Sequence, residues 1–245
     1  MIEMLTSLNT TVEVQRHKTR MAILPVGATE QHSAHLPLAT DTIIVEAVAQ
    51  GVAKKLDAYC LPALPFSISH MHRGCRGTVW LRNQTITAVI RDIATSLLHE
   101  GFSQFVLING HGGNFILVPI VQDLNLDFPQ LLTMTLDSWT PVAGRGIFAH
   151  PDPLMHADEF ETSCMLHLRA DAVRRNKLRD NPEQIDRELL RYFPIGKLAA
   201  RTHAGHPTRA RAEDGRRAVD CMIEEAARSI ETTIKKVNRI KAGIG

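Results

Sequence analysis

Residues 21–42 of the chain read MAILPVGATEQHSAHLPLATDT, and this stretch decides the fold. The compact apolar run from Met21 to Val26 ends at Gly27, which predicts a buried strand of the kind found in parallel sheets. Glu30 and His32 follow the carboxyl end of that strand and project in the same direction if the segment is extended. The stretch therefore predicts a buried strand that delivers polar side chains to one edge of a sheet.

The same alternation of strand and helix continues along the chain. Apolar stripes at helical spacing predict helices over residues 43–56, 86–97, 116–124 and 212–241, and apolar runs predict strands over 104–108 and 131–136. This order indicates an α/β fold, a three-layer αβα sandwich with a mostly parallel central sheet. A chain of 245 residues with 44% hydrophobic composition suits a single domain spanning residues 1–245.

Composition limits the classes of partner. The 28 Lys and Arg residues nearly balance the 26 Asp and Glu residues, so no basic excess points to nucleic acid or to a membrane surface. The four cysteines form no CxxC pair, and no window approaches the roughly 18 apolar residues of a membrane span. We expect a cytoplasmic protein with reduced thiols that acts on a small molecule.

A second polar turn follows the strand predicted over residues 104–108. It reads Asn-Gly-His-Gly-Gly-Asn and carries His111. Ligands of open α/β sheets bind at the carboxyl ends of the strands, where His111 would meet Glu30, His32 and Asp41. Carboxylate and imidazole donors together suit Zn²⁺, Mn²⁺ or Fe²⁺. The alternatives are a polar loop that caps a helix, with Asp41 as the N-cap, and a phosphate cradle in the second turn, which lacks the required third glycine and lysine.

Three further segments are candidates for the surroundings of a site. Residues 67–77 form a polar loop with His70 and His72, and residues 139–153 form a Gly- and Pro-rich loop that could cover a site. The segment from 155 to 168 is predicted to be helical and places Glu159 and Glu161 in its first turn, where the helix dipole favours negative charge.

Residues 25–42, 109–114 and 156–163 together resemble the creatininase (creatinine amidohydrolase) family. The order and spacing of these three stretches are similar to those of the family across most of the chain. Residues 74–81 and 205–215 resemble two further family elements more weakly.

The resemblance implies an αβα metallohydrolase with two divalent metal ions, often a homohexamer, that cleaves a cyclic amide or another carbon–nitrogen bond. By position in the motifs, Glu30, Asp41 and His111 would bind one ion. His32 would bind the second, with Asp41 as the bridge between the two.

The chain departs from the creatinine-cleaving members at Gly113. Those members have a glutamate at this position, two residues after the histidine of the turn, and glycine has no side chain to offer. The resemblance implies Glu159 as the replacement ligand. We rank Glu161 behind it, because on a helix the two side chains point about 200° apart.

The resemblance also implies the chemistry. A hydroxide that bridges the two ions would attack the substrate carbonyl. His156 would donate a proton to the leaving nitrogen or hold the oxyanion, which makes His156 and Glu159 the catalytic candidates. The residues expected to contact the substrate are His35, His72, Trp139, Gly112 and Gly113.

The function predicted from sequence is a metal-dependent amidohydrolase of a small cyclic amide or formamide. Gly113 and the absence of a tryptophan between Trp139 and His156 argue against creatinine itself. Two alternatives stay open. One is a metal-dependent hydrolase of another bond, in a peptide, lactone or cyclic ketone, and the other is a non-catalytic metal- or ligand-binding protein.

Overall fold

The computed structural model describes residues 4–148, 156–183, 185–186, 188–199 and 201–243. Its centre is a five-stranded sheet in which every neighbouring pair of strands is parallel. The strands are β1 (Leu5–Thr6), β2 (Met21–Val26), β3 (Tyr59–Cys60), β4 (Gln104–Asn109) and β5 (Leu132–Asp137). The strand order is β1-β3-β2-β4-β5.

Helices cover both faces of this sheet. They are α1 (Thr11–His17), α2 (Thr40–Leu56), α3 (Asn83–His99), α4 (Leu117–Asp127), α5 (Glu159–Leu168), α6 (Ile195–Leu198) and α7 (Ala212–Lys241). Side chains alternate between the two faces of a strand, so Ile23 and Val106 pack against α2, α5 and α7, whereas Leu24 and Leu107 pack against α3 and α4. The predicted three-layer αβα sandwich is confirmed.

The predicted element boundaries agree closely with the structure. Strand β2 and helix α7 span the predicted residues, and β4 and β5 end one residue later than predicted. Helix α5 begins at Glu159, later than the predicted start at residue 155. Asp158 is its N-cap, because the Asp158 carboxylate accepts hydrogen bonds from the backbone amides of Phe160 and Glu161. Residues 149–155, which include the end of the predicted covering loop, lie outside the described residues.

Helices α5 and α7 cross at unusually close range. A Cβ atom built on Gly215 of α7 would lie 1.9 Å from the backbone oxygen of Ser163 in α5, closer than any side chain can approach. Only glycine permits this crossing. The contact therefore sets the position of α5, whose first turn faces the edge of the sheet described below.

Two further findings concern the cysteines and the helices. All four cysteines are free thiols. Among the described residues, no helix combines the length and the apolar character that crossing a bilayer requires.

Candidate metal centre

Two polar turns lie side by side at one edge of the sheet. Val26, the last residue of β2, pairs with Asn109, the last residue of β4, so the two strands end at the same level. Glu30 and His32 follow β2, and His111 follows β4. The carboxyl edge of the sheet therefore gathers the side chains that the sequence placed there.

The first group of possible metal ligands consists of Glu30, Asp41 and His111. Their ligand atoms all lie within 4.8 Å of one another, and all three side chains are buried. Nε2 of His111 is 3.2 Å from Oε2 of Glu30, and Nδ1 of His111 is 3.1 Å from Oδ2 of Asp41. These are the three residues that the family resemblance implies for one ion.

Two carboxylate oxygens of this group fit a cation. Glu30 Oε2 and Asp41 Oδ2 are buried, and neither accepts a hydrogen bond of normal geometry from the residues that the structure describes, although a nitrogen of His111 lies near each. A buried carboxylate oxygen without a partner is costly. A divalent ion held by these residues would satisfy both oxygens.

The second group of possible ligands consists of His32, Asp41 and Glu161. Nε2 of His32 is 3.0 Å from Oδ1 of Asp41 and 3.7 Å from Oε2 of Glu161. The other ring nitrogen, Nδ1, lies 3.1 Å from the backbone oxygen of Glu30 and donates to it, since a carbonyl can only accept. Nε2 is thereby aimed at the carboxylates, and Asp41 belongs to both groups.

Glu161 occupies the place in the second group that the sequence gave to Glu159. Its Oε2 accepts a hydrogen bond from the backbone amide of Ala157 at 2.5 Å and faces His32. Glu159 is buried and belongs to none of the ligand groups that the described residues form. The two side chains of an ideal helix at this spacing point about 200° apart, and Glu161 is the one whose carboxylate lies near His32 and Asp41.

The backbone at Gly113 leaves no room for a side chain. A Cβ atom at this position would lie 2.4 Å from Nε2 of His111 and 2.4 Å from the backbone oxygen of Ile68. No residue other than glycine fits without a shift of the turn. A carboxylate for the second group must therefore come from another part of the chain, and in this structure it comes from α5.

Electrostatics show that the centre requires positive charge. Burial alone would raise the pKa of Glu30, but His111 and His72 outweigh burial and hold that pKa below its ordinary value. The pKa of Asp41 is likewise lowered, by His32 and His111 against the effect of burial. Burial would lower the pKa of His111, but Glu30 and Asp41 raise it to about 9. Protons on the imidazoles supply the compensating charge that a divalent ion would supply when bound.

His156 lies over these two ligand groups and forms a further possible group with Glu30 and His32. The centroid of its ring is 4.5 Å from that of His32 and 4.4 Å from that of His72, and its Nδ1 is 3.7 Å from Oε1 of Glu30. Burial, followed by the neighbouring His72 and His32, holds the pKa of His156 well below its usual range. The imidazole is therefore neutral at neutral pH.

A cavity of about 710 Å³ opens onto these groups. Four of the five residues expected to contact a substrate line it, namely His72, Trp139, Gly112 and Gly113. The fifth, His35, does not line it. Its side chain is fully buried behind the site, with Nε2 3.2 Å from Oγ1 of Thr162 and its ring edge-on to His203. These contacts keep this histidine away from the cavity.

One wall of the cavity was not anticipated from the sequence. Ile185, Leu190 and Ile195 line it, and these side chains belong to a small hydrophobic cluster separate from the two main cores. Glu188 and Arg191 also line the cavity and form an ion pair at 2.6 Å. The segment shows no regular apolar spacing, so periodicity could not reveal it.

Comparison with known proteins gives three kinds of match. The model of the family named Creatininase, described as creatinine amidohydrolase, matches residues 7–230. The chain is 32% identical over 235 residues to a mycofactocin precursor peptide peptidase of Mycolicibacterium smegmatis, covering 91% of this chain and 90% of the relative. It is 29% identical over 180 residues to a creatinine amidohydrolase of Pseudomonas putida, covering 65% and 68%.

Solved structures share the fold. A crystal structure of creatinine amidohydrolase superposes with a TM-score of 0.83 at 23% identity and covers 94% of this chain and 98% of its own. A creatininase structure with manganese superposes with a TM-score of 0.81 at 23% identity, covering 94% and 99%.

Proposed function

The chain belongs to the creatininase family, and we propose that it is a metal-dependent hydrolase that cleaves the carbon–nitrogen bond of an amide. One observation carries the proposal: two groups of carboxylate and imidazole ligands share Asp41 and adjoin a cavity of about 710 Å³. The relatives reported above are themselves a peptidase and an amidohydrolase.

We assign the ligands as the geometry groups them. Glu30, Asp41 and His111 would hold one divalent ion, and His32, Asp41 and Glu161 would hold the other. Zn²⁺, Mn²⁺ and Fe²⁺ all suit oxygen and nitrogen donors. When bound, such ions lower the pKa of water toward about 7, supply hydroxide at neutral pH and polarise a carbonyl group.

His156 would move the proton in this reaction. The neutral ring can accept a proton from the attacking water and deliver it to the leaving nitrogen, which must be protonated to depart as an amine. Its position between the ligand groups and the cavity suits this role, because it reaches both the centre and a bound substrate. Trp139 and Phe160 would exclude water from the bound amide.

We place a peptide ahead of a small cyclic amide as the substrate class. A cavity of about 710 Å³ is in the range that encloses a molecule of several rings or residues, so a single small ring would leave much of it to water. The apolar wall of Ile185, Leu190 and Ile195, with Phe115, suits the side chains of a peptide. The cyclic amide is the second candidate, favoured by the shared fold with creatinine amidohydrolase. Cytoplasmic location and a homo-oligomeric state stay predictions.

A substrate panel tests the proposal. Protein depleted of metal by a chelator is reloaded with Mn²⁺, Zn²⁺ or Fe²⁺ and offered short apolar peptides, lactams, creatinine and formamides, with products identified by mass spectrometry. We expect hydrolysis of amides only after reloading, and faster hydrolysis of peptides than of cyclic amides. Equal rates with and without metal would refute metal dependence. Full metal loading without hydrolysis of any amide would favour the non-catalytic alternative.

A further inference from the structure

Arg191 is the one arginine or lysine among the described residues that line the cavity, and metal binding does not explain its presence. The same wall is otherwise built largely from the apolar side chains of Ile185, Leu190 and Ile195. In cavities lined mostly by apolar groups, a few placed polar groups set the orientation and identity of the ligand. A permanent positive charge at this place therefore requires an explanation in terms of the ligand.

The local backbone holds Arg191 beside Glu188. Residues Leu189–Arg191 form one turn of 3₁₀ helix, and the backbone amide of Arg191 lies 3.3 Å from the backbone oxygen of Glu188. Side chains three residues apart eclipse one another in such a turn, and Nη1 of Arg191 donates to Oε2 of Glu188 at 2.6 Å. Both side chains are about two-thirds exposed, at 65% and 69%, so the pair contributes little to stability. Its effect is to orient the guanidinium group.

The ion pair occupies only one part of that guanidinium group. Arginine has five N–H donors, and Nε and Nη2 form a planar fork that matches the two oxygens of a carboxylate. Among the residues that the structure describes, Glu188 alone accepts a side-chain hydrogen bond from Arg191, and it does so from Nη1. The fork of Nε and Nη2 is therefore open to a ligand.

Two other arginines of the chain show what this fork binds. Nε and Nη2 of Arg169 donate to the two carboxylate oxygens of Asp171 at 2.9 and 2.8 Å. Nε and Nη2 of Arg216 donate to the two carboxylate oxygens of Glu213 at 3.0 and 2.6 Å. Arg191 differs from both because its carboxylate partner leaves the fork unfilled, and it lies on the cavity.

The other charges around the cavity favour an anion over a cation. Glu30, Asp41 and Glu161 bring three negative charges, which two divalent ions would outweigh. Glu188 is the remaining carboxylate of the lining, and Arg191 already balances it. A cationic group would thus meet no unbalanced negative charge, whereas an anionic group would meet an open fork.

We propose that Arg191 is a specificity-determining residue that binds a carboxylate of the substrate through Nε and Nη2, while Glu188 holds Nη1. The substrate is then an amide that carries a carboxylate apart from the bond that is cleaved. In a peptide this group is the terminal carboxylate or an acidic side chain. The role of the bound molecule as a substrate rests on the proposed function, whereas the binding of a carboxylate does not.

Calorimetric titration with peptides tests the proposal without turnover. The protein is loaded with Zn²⁺ and carries His156→Gln to block hydrolysis, and mass spectrometry checks that each peptide stays intact. The first probe is an N-acetylated leucine–alanine–leucine peptide with a free terminal carboxylate, and the second is the same peptide as its carboxamide. We expect the acid to bind about tenfold more tightly than the carboxamide, as a charged hydrogen-bonded pair at a partly exposed site requires.

A third probe distinguishes the two sources of the carboxylate. It is a carboxamide peptide of the same length whose last residue is glutamate. Tighter binding of the first probe assigns the terminal carboxylate to Arg191, and tighter binding of the third assigns an acidic side chain. Either result supports the proposal.

Substitutions then assign the preference to Arg191. Arg191→Gln should bind acid and carboxamide equally, and Arg191→Glu should reverse the preference toward a carboxamide peptide that ends in lysine. The matched control is Arg216→Gln, which removes the same charge outside the cavity and should keep the tenfold preference. Thermal unfolding checks that each variant is folded.

Equal binding of acid and carboxamide by the protein with Arg191 intact would overturn the proposal, and this comparison needs no variant at Arg191. A preference that survives Arg191→Gln would also overturn it. Separate assays of hydrolysis by the protein with His156 intact distinguish the two proposals. Selective binding of carboxylates without cleavage of any amide would refute the proposed function alone, whereas cleavage of acid and carboxamide with equal KM would refute the role of Arg191 alone.

Discussion

Replacing Glu161 by glutamine should remove one of two bound metal ions. The substitution keeps the size of the side chain and removes its charge, and the oxygen of the new amide could still accept the hydrogen bond from Ala157. An ion surrounded by ligand atoms that lie within 4.8 Å of one another sits about 3 Å or less from each. Even at the dielectric constant of water, a carboxylate at that distance from a divalent ion contributes about 3 kcal/mol. The affinity at the second site should therefore fall by about a hundredfold or more.

Metal stoichiometry measures this effect directly. Elemental analysis after equilibrium dialysis should give two ions per chain for the wild type and one for Glu161→Gln, the latter held by Glu30, Asp41 and His111. The control is Glu159→Gln, which changes a carboxylate in the same helical turn and should retain both ions. Thermal unfolding of both variants checks that each is folded. One ion in Glu159→Gln with two in Glu161→Gln would refute our assignment and support the ligand expected from the sequence.

Three further predictions concern the bridging ligand, the glycine turn and a buried histidine. Asp41→Ala should lose both ions, because Asp41 belongs to both ligand groups. A chelator should lower the melting temperature of the wild type by about 5–10 °C and leave that of Asp41→Ala unchanged. This shift corresponds to about 2.7 kcal/mol, the stabilisation from one site when the metal concentration is a hundred times its Kd. Gly113→Ala should cost about 1–3 kcal/mol in urea unfolding and weaken metal binding, because its Cβ would meet His111, whereas Gly196→Ala, with open space around its Cβ, should cost nothing comparable. Burial, followed by His203, lowers the pKa of His35 to about 4, so between about pH 6.5 and 4 the unfolded chain binds a proton that the folded chain excludes. The wild type therefore loses stability as pH falls through that window, and His35→Asn should lose less. Plots of the free energy of unfolding against pH should differ in slope between the two proteins by at most about 1.4 kcal/mol per pH unit. Equal slopes would contradict the lowered pKa of His35.

The strands and their polar ends were predictable because their signals are local. A run of apolar residues that ends in glycine, as at Gly27, marks both the strand and the point where the chain leaves the sheet. Parallel pairing then brings Glu30 and His111 to the same edge of the sheet, because the carboxyl ends of all parallel strands lie at that edge. The meeting of these side chains at one edge was therefore predictable from local sequence, whereas their grouping on one ion came from the family resemblance.

The choice between Glu159 and Glu161 depended on information that is not local. Sequence gives the angle between the two side chains around α5, but not the rotation of the helix about its own axis. Helix α5 is packed closely against α7 where Ser163 meets Gly215, which lies 52 positions further along the chain. The signal was present in the glycine, because a glycine within the apolar stripe of a long helix often marks a close crossing. Sequence alone does not say which helix crosses there.

The cavity wall and the proposed metal ligands lie on different kinds of structural element, and this difference affects which substrates the site can take. The ligands follow strand ends and helix starts, where backbone geometry holds them rigidly. Ile185 and Ile195, the latter at the start of the short helix α6, instead belong to a small cluster separate from the two main cores. Such segments accept substitution more readily than a sheet does, because fewer buried contacts depend on them. A change confined to this wall would alter which molecule fits the cavity without altering the proposed metal ligands. We therefore expect substitutions of Ile185, Leu190 or Ile195 to alter substrate preference more than metal content.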